Sequence, residues 1–406
     1  MNQGYIKNIR YIKRTGNIKN IRNLSMKLRS YLNKKFKKYM AVVVVAGLAG
    51  SGLIGCNVND ATGGDGKIKV VCTIFPEYDW VMNLIKGNEE KYDVTLLIDN
   101  GTDLHSYQAS AKDIMTIENC DLFVYVGGES DNWVKDVLKE HQNPERTDIN
   151  LMEVLGDKVY CEEIIEGMQS EEEEADADNA GGSKSEDAEK AENVEEADFG
   201  TEDVSETEDA KKAEGEEEAD SDEEETEYDE HVWLSLKNAQ IICSKLTEEL
   251  KLTDKTGKHA SEYDKALEEY LEDVTELDRK YSEAVADAKS DMLLFGDRFP
   301  FRYMTEDYGL KYYAAFPGCS AETEASFETV VFLAGVLDDN NISKICVTET
   351  SDQNIAKTII ENSKNKNAEI VVFDSMQSVT GDDIKKGASY ISYMESNLKA
   401  LKEALS

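Results

Sequence analysis

The residues that could do chemistry in this sequence are a small set of histidines and carboxylates. The chain has 406 residues but only four histidines. His105 follows the apolar run YDVTLLID, and His231 stands where a long acidic tract changes within a few positions to the apolar stretch VWLSL. Asp297 and Asp374 each come at the end of a strand-like run late in the chain. Imidazole nitrogen and carboxylate oxygen together suit a borderline divalent cation such as Zn²⁺, or Mn²⁺.

These side chains can meet if the chain folds into parallel sheets. Short apolar runs alternate with segments of helical periodicity, which is typical of parallel α/β architecture. The predicted strands are 68–75, 92–99, 121–127 and 158–164, and after the acidic tract 291–297, 311–316, 343–349 and 368–374. In open parallel sheets, ligands bind beyond the carboxyl ends of the strands. Two histidines from a first lobe and two carboxylates from a second lobe are therefore predicted to converge in a cleft.

A long helix separates the two groups of strands. Residues 256–289 contain no proline and no interior glycine, and their apolar positions recur at spacings of three and four. This periodicity indicates one amphipathic helix, and a helix of about 30 residues extends about 45 Å, more than one domain usually needs. The sequence thus predicts two parallel-sheet α/β lobes, 67–255 and 290–406, joined by one long rigid helix.

The negative charge of the chain is concentrated in one tract. The formal net charge is −39, and residues 171–230 hold 30 Asp and Glu against four Lys. This balance argues against a nucleic-acid binder, because phosphate contacts need Lys and Arg. Low hydrophobicity and charge of one sign predict that an insert, 168–229, is disordered. Two interpretations stay open: a collector that concentrates cations near the cleft, and a solvated spacer without metal specificity.

The amino-terminal segment has the pattern of a secretory signal. Residues 5–38 are rich in Lys and Arg, and the stretch MAVVVVAGLAGSGLIGC, 40–56, carries no charge. A basic region, an apolar stretch and small residues are typical of a signal peptide. The ending LIGC resembles a bacterial lipobox, which predicts a signal over 1–56, lipidation of Cys56 and a polar tether over 57–66. An extracytoplasmic protein anchored to the cell membrane by lipid is expected; the alternative is a plain signal anchor.

The six other cysteines suggest no metal site of their own. None forms a Cys-x-x-Cys pair, so no thiolate zinc site is predicted. Most lie in apolar runs, where cysteine behaves as a small buried hydrophobe. These residues are Cys72, Cys120, Cys161, Cys243, Cys319 and Cys346.

Five motifs in a fixed order give the sequence a family resemblance. They are TDLHSYQASAKDI, EHVWLSLKNA, FPFRYMTEDYGL, GCSAETEASFETV and FDSMQSV with the closing YISYMESNLKALKEAL. Together they resemble the zinc- and manganese-binding solute receptors of ABC importers (cluster A-I, ZnuA/TroA-like), over about 67–406 apart from the insert. The resemblance implies two α/β lobes joined by a rigid helix, a metal ion between the lobes, and permease and ATPase subunits as partners.

The resemblance also implies a ligand set, with one departure. The family's first histidine falls on His105, its second on His231 and its final carboxylate on Asp374. Arg298 occupies the position of the third ligand, His or Glu in the family, and a guanidinium cannot bind a cation. Asp297 beside it is the predicted replacement.

Other arrangements around Arg298 stay open at this point. Arg298 could form an ion pair with Glu324, and the metal could keep water or use Glu349. Zinc is favoured over manganese, although the donor set accepts both.

The function expected from these observations is capture of a divalent transition metal and its delivery to an ABC importer, without catalysis. Two other classes of protein stay open. One is an extracytoplasmic metal-dependent hydrolase, which needs an open coordination position and a general base. The other is a surface adhesin or structural lipoprotein in which metal is incidental.

Overall fold

The structure is a computed structural model that describes residues 66–169, 227–320 and 324–406. The predicted signal, Cys56 and most of the acidic insert lie outside these residues. Within them the chain forms two parallel sheets of four strands each, which confirms the predicted fold class. The strands are β1 Ile68–Cys72, β2 Tyr92–Leu96, β3 Leu122–Tyr125, β4 Thr147–Asn150, β5 Met292–Phe299, β6 Lys311–Pro317, β7 Lys344–Thr348 and β8 Glu369–Phe373.

The two sheets are wound in the same way. The strand orders are β2-β1-β3-β4 and β6-β5-β7-β8, so in each sheet the chain starts in an inner strand, crosses to one edge and then builds the other side. Helices make the crossovers that parallel strands require. They are α1 Phe75–Leu84, α2 Ala111–Glu118, α3 Asn132–Glu140, α4 Leu151–Leu155, α5 Leu236–Thr253, α6 Ala260–Ala286, α7 Arg302–Tyr308, α8 Phe327–Asp339, α9 Asn354–Asn362, α10 Gly381–Lys385 and α11 Tyr390–Ala404.

One predicted strand is wrong. Residues 158–164 do not join the first sheet, whose fourth strand is β4, the short polar segment TDIN. The segment 160–162 instead runs antiparallel to 227–229, with a bridge between Cys161 and Tyr228. Four residues with a single buried side chain give no apolar run, whereas KVYCEEI does. The sequence pattern therefore favoured the wrong segment.

The chain on both sides of the acidic insert is fixed to the second lobe. Met168 and Gln169 were predicted to belong to the disordered insert, but both are buried. The backbone N–H of Gln169 donates to the carbonyl of Ala315 in β6 at 2.9 Å. On the return side, the phenol of Tyr303 donates to the carbonyl of Asp229 at 2.7 Å. These contacts bring the residues around His231 to the boundary between the lobes.

The predicted long helix is α6, which spans 27 residues and therefore extends about 40 Å. Its buried face packs against α5 and α1 of the first lobe and against α11 of the second. The residues of that face recur at helical spacing: Tyr263, Ala266, Tyr270, Val274, Leu277, Tyr281 and Ala284. The predicted closing helix over 383–404 is in fact two helices, α10 and α11, because Ser389 begins a new helix with a capping box.

The largest of the apolar clusters in the described residues runs across both lobes. It joins buried side chains of β1 and β3 in the first lobe to those of β5 and β8 in the second. Trp233 lies in this core with no exposed surface, and its indole N–H donates to the carbonyl of Ser375 at 2.9 Å. The two lobes are thus held together by packing and by hydrogen bonds. In the part of the chain that the structure describes, none of the helices has the length and apolar character of a membrane span.

Candidate metal centre

His105 lies in a short 3-10 turn, Leu104–Ser106, in the segment that follows β2. The carboxylate of Asp103 caps this turn by accepting from the His105 backbone N–H at 3.0 Å. Leu104 is buried and fixes the turn to the core. The His105 ring is held at its Nδ1 atom, 2.6 Å from the hydroxyl of Ser130. The other ring nitrogen, Nε2, is directed toward His231.

His231 is fully buried where the chain returns to the lobe boundary. Asp229 fixes it twice, because its Oδ1 accepts from the His231 backbone N–H at 2.9 Å and lies 3.0 Å from the ring Nδ1. The next residues form the turn Val232–Leu234, which places Trp233 in the core. The ring is therefore oriented by a carboxylate on one side and by packing on the other.

The two Nε2 atoms lie 3.2 Å apart. Two imidazole nitrogens that bind one tetrahedral zinc ion at about 2.0 Å stand about 3.3 Å apart. In both rings the Nδ1 atom is already engaged, by Ser130 and by Asp229. A hydrogen-bonded Nδ1 that fixes the ring and leaves Nε2 for the cation is the usual arrangement of histidine ligands. The structure thus brings together His105 and His231, as the sequence predicted.

The two imidazoles differ in proton affinity. Burial, together with the neighbouring charge of His231, lowers the pKa of His105 to about 4. Burial also lowers the pKa of His231, but the attraction and hydrogen bond of Asp229 outweigh it, and the net pKa is raised. Of the two rings, His231 is therefore the one that is more readily protonated.

Cys319 is the third residue of the group, and sequence reasoning missed it. Ligand atoms of His105, His231 and Cys319 all lie within 4.8 Å of one another, and this is the group that the described residues offer for a metal ion. Cys319 is a half-buried free thiol in the loop after β6. Its backbone N–H donates to Glu162 at 3.2 Å. No sequence spacing links it to the histidines, so only its position after a predicted strand could have suggested it.

Gly318 allows the loop of Cys319 to approach His231 closely. A Cβ atom at this position would stand 3.0 Å from Cε1 and 3.1 Å from Nδ1 of His231, and 2.9 Å from the carbonyl oxygen of Phe299. Such distances are shorter than normal van der Waals contacts, so a larger residue would push the loop away from the ring.

Gln377 faces the same point from the second lobe. Its side-chain Nε2 lies 3.3 Å from Nε2 of His231, and the residue is 7% exposed. Its Oε1 is buried and has no hydrogen-bond partner among the residues described. A buried amide oxygen without a partner costs about 1–3 kcal/mol. Rotation of the amide by half a turn presents this oxygen, a potential ligand atom, to the histidines.

The two carboxylates predicted from the sequence lie elsewhere in the second lobe. Asp297 Oδ2 accepts from the N–H and the hydroxyl of Thr348 at 2.9 and 2.6 Å, so its carboxylate ties β5 to β7. Asp374 Oδ1 accepts from the N–H of Met376 at 2.8 Å. Burial, with repulsion from Glu349, raises the pKa of Asp374 to about 7. The structure does not bring Asp297 or Asp374 into the group formed by the histidines.

Glu349, the open alternative ligand, is engaged in its own lobe. It accepts from the N–H of Ser375 at 2.8 Å and from the hydroxyls of Ser375 and Ser378 at 2.9 and 3.2 Å. Arg298, at the position of the expected third ligand, pairs with Asp103 at 3.1 Å and donates to the carbonyl of Ser320 at 3.4 Å. An ion pair of this arginine with Glu324 had stayed open from the sequence; the ion pair that the structure shows is the one with Asp103.

A cavity of about 260 Å³ opens beside the histidine pair. We call it the acidic cavity; its lining is His105, Glu129, Ser130, Glu162, Glu227, Tyr228, Glu230 and Cys319. Oε2 of Glu230 lies 3.8 Å from Nδ1 of His105. Glutamates in a confined space focus a negative potential, which raises the local concentration of cations.

The sequence matches known proteins over most of its length. The family model ZnuA, described as "Zinc-uptake complex component A periplasmic", matches residues 70–404. The zinc-binding lipoprotein AdcA of Streptococcus pneumoniae is 28% identical over 361 residues, which cover 89% of this chain and 60% of that protein. The chain therefore spans less than two thirds of that relative. The high-affinity zinc uptake system protein ZnuA of Bacillus subtilis is 25% identical over 375 residues, 91% of this chain and 98% of that protein.

Solved structures agree with the fold. The Zn(II)-bound ZnuA-like domain of Streptococcus pneumoniae AdcA superimposes with a TM-score of 0.57 at 24% identity, covering 84% of this chain and 99% of that domain. At this identity the likeness supports the two-lobed α/β architecture. With a family match over residues 70–404, this chain belongs to the ZnuA family.

Proposed function

We propose that this protein captures a divalent transition metal, zinc in preference to manganese, outside the cytoplasm and delivers it to an ABC importer. The observation that carries the proposal is the pair of Nε2 atoms 3.2 Å apart, with both Nδ1 atoms held by neighbours. Two imidazoles oriented in this way fit a tetrahedral zinc ion. Imidazole suits zinc better than manganese, which prefers carboxylate and water.

The first test measures metal content. Purified protein is stripped with a chelator, reloaded with zinc, and its metal per chain is measured by mass spectrometry. We expect one zinc per chain in the wild type and its loss in His105→Ala and His231→Ala. His141→Ala is the matched control, because His141 follows α3 beside Glu118 at 3.4 Å and joins no ligand group among the residues that the structure describes. Thermal unfolding of each variant separates loss of the site from loss of the fold.

Two further variants sharpen this test. Asp374→Asn is expected to keep its zinc, because Asp374 contacts the backbone of its own loop instead of the histidines. Competition between zinc and manganese on the wild type should favour zinc by at least about tenfold, because nitrogen ligands bind zinc more tightly than manganese. Full zinc retention by both histidine variants would contradict the proposed site.

Delivery and anchoring need experiments in cells. The family description and the names of the relatives support a role in zinc uptake, and permease and ATPase subunits are the proposed partners. A strain that lacks the protein should take up less zinc at limiting concentration, and the wild type should restore uptake while His231→Ala should not. We propose that Cys56 carries a lipid. Cys56→Ser should then move the protein from the membrane fraction to the soluble fraction.

A further inference from the structure

We propose that Cys319 binds the captured metal through its thiolate, as the third protein ligand beside His105 and His231. This inference rests on the proposed function and specifies its donor set. The starting point is that two histidines leave a zinc ion two ligands short of its usual four. Arg298 offers no lone pair, and its guanidinium is fixed to Asp103 and to the carbonyl of Ser320.

The position of Cys319 supports this role. Ligand atoms of Cys319 and the two histidines all lie within 4.8 Å of one another. A zinc ion bound at about 2.0 Å to nitrogen and about 2.3 Å to sulfur separates these atoms by about 3.5 Å. The observed limit of 4.8 Å exceeds this zinc-bound separation by about an ångström. Rotation of the short Cys319 side chain moves its sulfur by a distance of this size.

The loop that carries Cys319 lies unusually close to the ring of His231. Gly318 is the residue at which a Cβ atom would contact His231 and the backbone of Phe299. On the other side, Glu162 accepts from the Cys319 N–H at 3.2 Å and belongs to the segment that leads into the acidic insert. The thiol also lines the acidic cavity together with His105. Cys319 is therefore held between the histidine pair and the cavity.

A second, independent observation points to a cation at the same place. The buried Oε1 of Gln377 has no partner in the described part of the chain, and this amide lies 3.3 Å from Nε2 of His231. A cation bound by the histidines would give the oxygen a partner after the amide turns. Two imidazoles, one thiolate and one amide oxygen make a complete four-ligand set for zinc.

The binding step is balanced in charge and protons. Cys319 gives up its thiol proton to solvent as the sulfur–metal bond forms. Thiolate sulfur is a soft ligand that suits zinc and disfavours manganese. The inferred donor set therefore narrows the cargo to a thiophilic cation.

Spectroscopy on the wild type tests the sulfur ligand directly. With Co²⁺ as the probe, thiolate coordination gives an intense near-ultraviolet charge-transfer band, and Cys319→Ser should abolish it. X-ray absorption of the zinc-loaded wild type should show a sulfur neighbour at about 2.3 Å. Cys161→Ser is the control, because the Cys161 thiol is exposed and its removal should leave both signals unchanged.

Affinity separates this inference from the proposed function. Cys319→Ser should weaken zinc binding at least tenfold and release one proton fewer per zinc bound, while His105→Ala should abolish binding. A wild type that binds zinc without a sulfur neighbour would overturn the role of Cys319 and leave the histidine site intact. Zinc content that does not depend on the histidines would overturn the proposed function itself.

Discussion

The guanidinium of Arg298 lies 3.1 Å from the carboxylate of Asp103, and this ion pair joins the two lobes beside the histidines. The other carboxylate oxygen of Asp103 accepts from the backbone N–H of His105. One carboxylate therefore fixes both the turn of His105 and the second lobe. Burial raises the pKa of Asp103, but the attraction of His105 and Arg298 outweighs it and lowers the net pKa. Arg298 cannot bind metal, but its ion pair with Asp103 connects the two lobes beside the histidines. We call this ion pair the latch.

The latch predicts that Arg298→Ala weakens metal binding without abolishing it. A hydrogen bond to a charged group contributes about 1.5–3 kcal/mol, and about 1.4 kcal/mol is a tenfold change in Kd. We expect the Kd for zinc, measured by competition with a chelator, to rise about tenfold or more. Arg279→Ala is the matched control, because Arg279 pairs on the exposed face of α6 with Glu276 at 2.7 Å. An unchanged Kd in Arg298→Ala would show that the latch is dispensable.

The close approach at Gly318 predicts that Gly318→Ala disturbs the site. The Cβ atom added at position 318 would lie only 2.9 Å from the carbonyl oxygen of Phe299. Overpacking of this kind costs about 1–3 kcal/mol. Both thermal stability and zinc affinity should fall. Gly335→Ala in α8 is the control, because a Cβ there meets no atom within 4 Å and should stabilise the helix by about 0.5–1 kcal/mol. Equal behaviour of the two variants would refute the packing argument.

A buried carboxyl group in the first lobe predicts a pH dependence of stability. Burial, with the charge of Asp131, raises the pKa of Glu77 from 4.5 to about 8. Between these values the folded state holds a proton that the unfolded state has lost. The free energy of unfolding of the metal-free protein should therefore fall as pH rises from about 5 to about 8, by at most about 1.4 kcal/mol per pH unit for this group.

Glu77→Gln isolates this contribution. Glutamine keeps an oxygen for the N–H of Thr73, which donates to Glu77 at 2.8 Å, and it has no charge to bury. Urea unfolding at several pH values should give a flatter profile for this variant. Glu268→Gln on the exposed face of α6 is the control. A profile in Glu77→Gln as steep as the wild type's would assign the pH dependence to other groups.

The acidic insert predicts an effect on the rate of metal capture. Its return end reaches Glu227 in the lining of the acidic cavity. If the tract concentrates cations, replacing 170–226 by a short Gly-Ser linker should slow zinc association at low ionic strength by roughly tenfold. The difference should fade at high salt, because screening weakens attraction between exposed charges. A second variant, with Asn and Gln in place of the acidic residues, removes the charge but keeps the length of the insert. If both variants bind zinc as fast as the wild type, the insert is a spacer without metal specificity.

Most of the fold could be predicted from local sequence patterns. Seven of the eight strands follow from apolar runs, because strands buried in parallel sheets need continuous apolar side chains. The long helix followed from spacings of three and four, and its buried face follows these spacings. The fourth strand of the first sheet was missed because TDIN is short and polar. The segment 158–164 was predicted as this strand because its apolar pattern is stronger. In the structure it pairs instead with the chain that follows the insert.

Local patterns were enough to predict the two-lobed α/β architecture and the approach of His105 to His231. The architecture follows from apolar periodicity, and each histidine lies in a short motif that can be read along the chain. The other residues around the histidines became apparent only from the three-dimensional fold. Cys319 is 88 residues beyond His231 in sequence, and only the winding of the second sheet places it against the rings. Gln377 faces His231 while Asp374, three residues earlier, bonds within its own loop. A few residues of loop turn a side chain toward or away from a cleft, and spacing does not encode that direction.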